Sequence, residues 1–293
     1  MSSATPAFSS PEDTQEAFLF VQALAAELSA GELDLPGFPD IVARIRLVLA
    51  DESVSPERVA RVVSGEPVVT ARLLRMANSA ALNPSGKPIV ELRTAILRVG
   101  FNTVRSASIA FAVQQLRSSS ELQGLERPLA ALWERTALVA SLCYVIARRR
   151  TQLSADTALL AGLLQSLGRL YILSRASRHR TLFTDAAAYQ AIERDWHLSV
   201  ACAILEHWSM PEEIVAAVRD SEDFAREPRG AASLTDVLIA ATLIAAYQNQ
   251  PELLEVRLQS VRSIARLQLN RAQCEALIGE SAQEIASLRE ALG

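Results

Sequence analysis

A chain of 293 residues, half of them hydrophobic, is long enough for one large core or two smaller ones. A net charge of −4 with 21% charged residues excludes a chain disordered as a whole, and argues against indiscriminate binding to phosphate backbones. Glycine and aromatics are scarce while Ala and Leu abound, so an all-α protein is expected.

Residues 1–14, rich in Ser, Pro and Thr, are expected to be disordered. The opening "MSSATPAFSSPEDTQ" lacks the basic n-region of a secretory signal. No apolar run approaches the ~20 residues that span a bilayer, so no membrane insertion and a cytoplasmic location are expected. From Glu16 to Leu28 a helix is predicted, with Phe18, Val21, Leu24, Ala25 and Leu28 at three- and four-residue steps. "GELDLPGFPD" breaks it, and Asp40 is expected to cap the next helix, 41–49. Ser55-Pro56-Glu57 has the chemistry of a helix start: a hydroxyl cap, a proline at the first position and an acid at the positive pole. Glu66-Pro67 repeats it before a helix whose stripe is Val69, Leu73, Met76, Ala77 and Ala80. "NPSGKP" reads as a loop. A helix over 90–99 is stopped by Gly100, and another follows over 102–116.

The polar stretch "RSSSELQGLERP" separates a first helical subdomain, 15–117, from a second, 125–230. Helices are predicted over 129–149, 156–174, 199–208 and 211–220. A C-terminal extension, 231–293, carries helices over 235–248, 251–266 and 271–292, with a capping box at Ser233–Asp236. The helix "ALLAGLLQSLGRLYIL" is apolar on every side, yet holds the adjacent polar pair Gln165-Ser166 in its middle.

Candidate chemistry is sparse. A metal hydrolase needs histidines, carboxylates or thiolates converging on one ion. The three histidines are His179, His197 and His207. His197 and His207, ten residues apart, would lie roughly 15 Å apart along one helix and cannot share an ion. His179 in "SRHR" and His207 are expected at the surface, and His197 at a helix start after Trp196. Cys143, Cys202 and Cys274 are far apart, and no C-x-x-C spacing occurs, which points to buried thiols. There is no G-x-S-x-G elbow and no phosphate-cradling glycine loop. Lys87 is the only lysine, so the basic residues are almost all arginine. The basic run "ARRR", 147–150, is read as cations compensating the negative pole of a helix.

These residues resemble the HDOD domains, the HD-related output domains of bacterial signalling proteins. "LDLPGFPDIVARI", with Pro36 and Pro39, is similar to the family's Leu-Pro-x-x-Pro opening. Glu66-Pro67 stands where Asp-Pro is usual. Leu73, Leu74, Ala77, Asn78 and Ser79 match the Leu-Leu-x-x-Ala-Asn-Ser run, and Ala95, Ile96, Val99 and Gly100 the following Ala-Ile…Leu-Gly segment. "LWERTALVA" with Trp133, "LLAGLLQSLGRLYIL" with Gly162 and Gly168, and "HLSVACAILEHWSMPEEIVAAVRD" with Trp208 and Pro211 resemble successive family helices. Coverage runs from about Leu33 to Glu222.

The resemblance implies a fold like that of the HD phosphohydrolases, which hold a catalytic metal with histidines and an adjacent His-Asp pair. Carried over position by position, the histidine after the tryptophan is Arg135 and the His-Asp pair is Gln165-Ser166. His197 fills the histidine place of its helix, and Ser221-Glu222 stands where two further histidines often follow. Gln and Ser are neutral, poor ligands, and Arg135 adds a fixed cation where a metal would sit. The expectation is a non-catalytic signalling regulator with no cofactor, acting through protein partners. The trio Arg135, Gln165 and Ser166 is expected to satisfy the core, against the alternative that its guanidinium, amide and hydroxyl are donors to a small anionic ligand. A rebuilt metal-dependent phosphohydrolase and a DNA-contacting regulator are the alternatives. Nucleic acid is not the expected partner.

Overall fold

The computed structural model describes residues 11–30, 39–51, 53–117, 122–177, 179, 182, 186–227 and 229–292. Helices account for every regular element among them; no strand occurs in the described residues. The first group comprises α1 (Pro11–Ala30), α2 (Asp40–Leu49), α3 (Pro56–Val63), α4 (Pro67–Ala77) and α5 (Leu92–Arg117). The second comprises α6 (Glu126–Arg150), α7 (Ala155–Leu164), α8 (Leu167–Ala176), α9 (Ala186–His207) and α10 (Glu212–Arg219). The last comprises α11 (Leu234–Tyr247), α12 (Pro251–Ser260), α13 (Arg262–Ala265), α14 (Arg271–Glu280) and α15 (Ala282–Leu292).

Helix α6 is the axis of the molecule. Its segment from Val139 to Ala147 is buried without interruption, because a helix apolar all round must be enclosed by others. Helices α7, α11 and α15 enclose it, while α5 lies against α4 and α7. Gly162 permits the close α6–α7 approach: a Cβ there would come within 2.6 Å of the Ala140 Cα. Two helical segments are long and apolar enough to cross a membrane, Glu126–Arg150 and Ala155–Ala176, contrary to the sequence expectation. Both lie mostly inside the protein, so their apolar character serves the core.

Local chemistry sets the helix starts. Ser55 accepts from the Arg58 amide, Glu66 from the Val68 amide, and Ser233 with Asp236 forms the reciprocal capping box. Gly100 adopts φ 75°, which splits α5 into the two expected helical runs. Asn78 donates to the Leu74 and Ile89 carbonyls and accepts from the Ile89 amide, clipping the following loop onto α4. The neighbouring Ser79 is buried.

Several boundaries differ from the sequence reading. Helix α1 begins at Pro11, ahead of the expected Glu16. Pro39 holds the cap position and Asp40 is the first helical residue. The long helices expected over 156–174, 251–266 and 271–292 are each interrupted, at Gln165-Ser166, Val261 and Ser281. Periodicity runs on through such breaks because the same face stays buried on both sides. His179 is not a free surface residue: its Nδ1 lies 3.2 Å from Glu16, and its ring meets Phe20 edge-on. The expected disorder of residues 1–10, Pro36, and residues 118–121 of the polar stretch lie outside the described residues. All three cysteines are free and buried.

The C-terminal helix is tied to the first group. Arg72 on α4, 1% exposed, donates to the Leu292 carbonyl and the Gln114 side chain. Burial pushes its guanidinium down to about 10.

Candidate functional site

Helix α9 runs unbroken through His197, which therefore sits mid-helix and not at the expected helix start. Its side chain is fully buried. Helix α8 meets α9 at Gly168, where an added Cβ would lie 1.8 Å from the His197 carbonyl oxygen. Only glycine allows that approach. It places the next residue, Arg169, against α9: its Nε is 3.5 Å from Glu193 and its Nη2 is 2.7 Å from Glu222. Glu222 follows α10 and receives His197 Nε2 at 3.1 Å on the same oxygen. His197 Nδ1 faces the Glu193 carbonyl at 2.8 Å. Arg169, Glu193, His197 and Glu222 thus form one connected charge network.

The protons follow from this geometry. Both His197 nitrogens face oxygen acceptors, so the ring spends its polar edges on the protein itself. The hydrogen bond from His197, followed by that from Arg169, holds the Glu222 carboxyl down to about 2, against the opposing effect of burial. A carboxylate so held is a fixed anion at neutral pH.

The positions carried over from the HD enzymes divide into two sets. Arg135, His197 and Glu222 share one neighbourhood, because Arg135 feels the Glu222 charge and both line one cavity. Partial burial, then the nearby Arg169 charge, pulls the Arg135 guanidinium below its usual value. Gln165 and Ser166 form the α7–α8 joint, where the Gln165 backbone N–H donates to the Ala161 carbonyl. The Ser166 hydroxyl donates to the Leu163 carbonyl, beside an apolar seam that includes Trp133, Leu129 and Val113. Ser221 donates to the Val218 carbonyl. Both hydroxyls are satisfied inside their own turns, and Ser166 lines the seam while Arg135 lines the other cavity, so the structure does not bring the trio together around one space.

A divalent cation does not fit here. His197, the one surviving ligand position, has Nε2 on a carboxylate and Nδ1 on a carbonyl. The adjacent sites carry an amide, two satisfied hydroxyls and the Arg135 guanidinium, and the two carboxylates nearby, Glu193 and Glu222, are already paired with Arg169. Among the described residues no group of three or more His, Cys, Asp or Glu side chains is arranged to hold one.

The cavity beside the network has a volume of about 300 Å³. Arg135 and Glu222 form one side, Tyr247 of α11 and Arg257 of α12 another. Arg257 lies 5.8 Å over the Tyr247 ring. Arg135 has no hydrogen-bond or ion-pair partner among the described residues. Sequence reasoning missed Arg169 and Glu193. The signals were present in the Gly168-Arg169 step and in the four-residue spacing of Glu193 and His197. It also missed Tyr247 and Arg257, which no local pattern connects to this site. Trp208 and Pro211 serve the frame: Arg46 of α2 lies 4.5 Å over the Trp208 ring, and Pro211 precedes α10.

The chain is similar in structure to a "putative metal-dependent phosphohydrolase" from Shewanella amazonensis SB2B, with TM-score 0.75 and 22% identity over 95% of this chain and 100% of that one. It is also similar to an HDOD domain protein with unknown function from Geobacter sulfurreducens, with TM-score 0.63 and 24% identity over 95% and 97%. These likenesses are of fold. No curated protein matches the chain. The HDOD domain family matches residues 35–224, most of the length and all of the charge network, and the chain belongs to that family.

Proposed function

We propose that this chain is a non-catalytic regulator in bacterial signalling, acting in the cytoplasm through contacts with protein partners. One observation supports the reading: His197 and Glu222, two positions that the resemblance equates with HD metal ligands, are bonded to each other and to Arg169. Metal-dependent hydrolysis needs a cation that lowers the pKa of a bound water, and the Arg135 and Arg169 guanidinium groups near His197 oppose it. The retained scaffold then serves recognition.

The test has two parts. Purified protein is assayed for bound transition metal and for phosphodiester cleavage with added Mn²⁺. Substoichiometric metal and no turnover are expected, and turnover that scales with Mn²⁺ sinks the reading. Affinity purification from the native cell should then return a reproducible sensor, kinase or response protein.

The cavity at Arg135 supports a small anionic ligand as the controlling input. An unpaired guanidinium facing about 300 Å³ of space is a donor fork without an acceptor. A thermal-shift screen of anionic metabolites checks this, with Arg135→Ala as the control. Stabilisation equal in both proteins would remove Arg135 from the reading.

A further inference from the structure

A second cavity, larger than the first and remote in sequence from most of the charge network, lies at the far end of α6. Its volume is about 630 Å³. Three segments line it: Arg148 to Leu153, Ala231-Ala232, and Arg266 to Gln268. Four of the lining side chains are arginines and none is acidic. A cleft with four cations is unexpected in a chain whose net charge is −4.

The basic run at 148–150 lies in the last turn of α6, at its negative pole, and two of its members also meet acidic partners. The Ala147 carbonyl is taken by the Thr151 amide and hydroxyl. Arg149 reaches Glu284 at 2.7 Å, and Arg148 reaches the same carboxylate at 3.3 Å. Arg266 is held 2.9 Å from the fully buried Asp236 and donates to the Arg229 and Gly230 carbonyls. These carboxylates and carbonyls are not part of the lining. They anchor three guanidinium groups from outside it.

Arg150 differs from the other three. It has no hydrogen bond or ion pair among the described residues, and its Nε is buried without a partner. Donors enclosed in this way are costly unless something accepts from them. Gln268, also in the lining, adopts φ 51°, a left-handed backbone at a non-glycine residue.

We propose that this cleft binds a small molecule carrying two or more phosphoryl groups, through Arg148, Arg149, Arg150 and Arg266. A single phosphate is too small to meet four guanidinium groups around about 630 Å³. No aromatic side chain lines the cleft, so no base or ring is stacked there, and the phosphoryl charge is what is read. The net negative charge of the chain disfavours a long nucleic acid, whose phosphates beyond the cleft would be repelled. The proposal does not depend on the ligand reading at Arg135.

Calorimetry on the full chain tests it, with tripolyphosphate, pyrophosphate, ATP, adenosine and a short single-stranded RNA as probes. Tripolyphosphate and ATP should bind with similar affinity, weakening as salt rises, while adenosine should not bind. Arg150→Glu should weaken tripolyphosphate by more than about tenfold, and Arg150→Lys by only a few-fold. Arg61→Glu, the same charge change on the exposed face of α3, should have little effect. Far-ultraviolet circular dichroism confirms that each variant is folded. If Arg150→Glu does not fold, Gln268→Glu, which sets a carboxylate in the lining, gives the same reading. The proposal is overturned by any of four results: no binding of either polyphosphate, equal losses in Arg61→Glu and Arg150→Glu, RNA binding tighter than tripolyphosphate, or loss in Arg135→Ala with retention in Arg150→Glu.

Discussion

Two arginine-bearing regions of this molecule keep their charges in opposite ways. Beside His197, Arg169 is met by Glu193 and Glu222, and Glu222 is met again by His197. At the end of α6, the acids stand behind the arginines and the cations line open space. A closed network consumes its own polar groups and fixes helices, whereas an outward-facing one leaves donors for something else. The position of the counter-charges, not the number of arginines, separates a structural role from a binding role.

The strongest way to break the closed network is through its backbone. Gly168→Ala would drive a methyl group into the His197 carbonyl, and neither helix can yield without moving Arg169 away from Glu193. A loss of about 3 kcal/mol in urea unfolding is expected, the upper end of overpacking costs. A neutral Gly168→Ala would mean that α8 and α9 are not held at this distance in solution.

Glu222→Gln attacks the same network through charge. It removes the charge from one acceptor shared by Arg169 and His197, and Glu222 is one-third exposed, so solvent screening discounts the effect. A loss of about 2 kcal/mol at neutral pH is expected. The pH dependence has a defined sign. The Glu222 carboxyl is held down to about 2 in the folded protein, from an ordinary 4.5. Its contribution is therefore complete above the unfolded value and is lost as pH falls toward the folded one. Melting temperature should drop between about pH 5 and pH 2 in the parent and drop less in Glu222→Gln. Parallel profiles would show that the carboxylate is not paired as described.

Much of this contrast was legible in the sequence, and its limits are physical. Helix class and most starts were readable because caps and apolar spacing are local: Ser55, Glu66 and Ser233 act within four residues of themselves. Interruptions at Ser281 and at Gln165-Ser166 were not, since both sides of each break bury the same face. The HD-related positions were locatable by resemblance, and His197 with Glu222 is the pair that meets there. Their actual neighbours were hidden because Arg169 reaches Glu222 across 53 residues. The basic run at 148–150 was visible, but its partners Glu280 and Glu284 arrive from the last two helices. No local pattern encodes that return.

The smallest expected effect is the most discriminating. Arg169→Ala and Arg150→Ala delete the same side chain from the two regions. Arg169→Ala leaves Glu193 and Glu222 without their cation and should cost about 2 kcal/mol. Arg150→Ala removes a group with no partner and an enclosed, unsatisfied Nε, so stability should change by less than about 0.5 kcal/mol. The two side chains share no partner, so their effects should add in the double variant. Equal losses in the two single variants would erase the distinction between the closed network and the open cleft. A near-neutral Arg150→Ala that also fails to bind tripolyphosphate would establish it, because a side chain that contributes nothing to folding and is required for binding is held in place for the ligand.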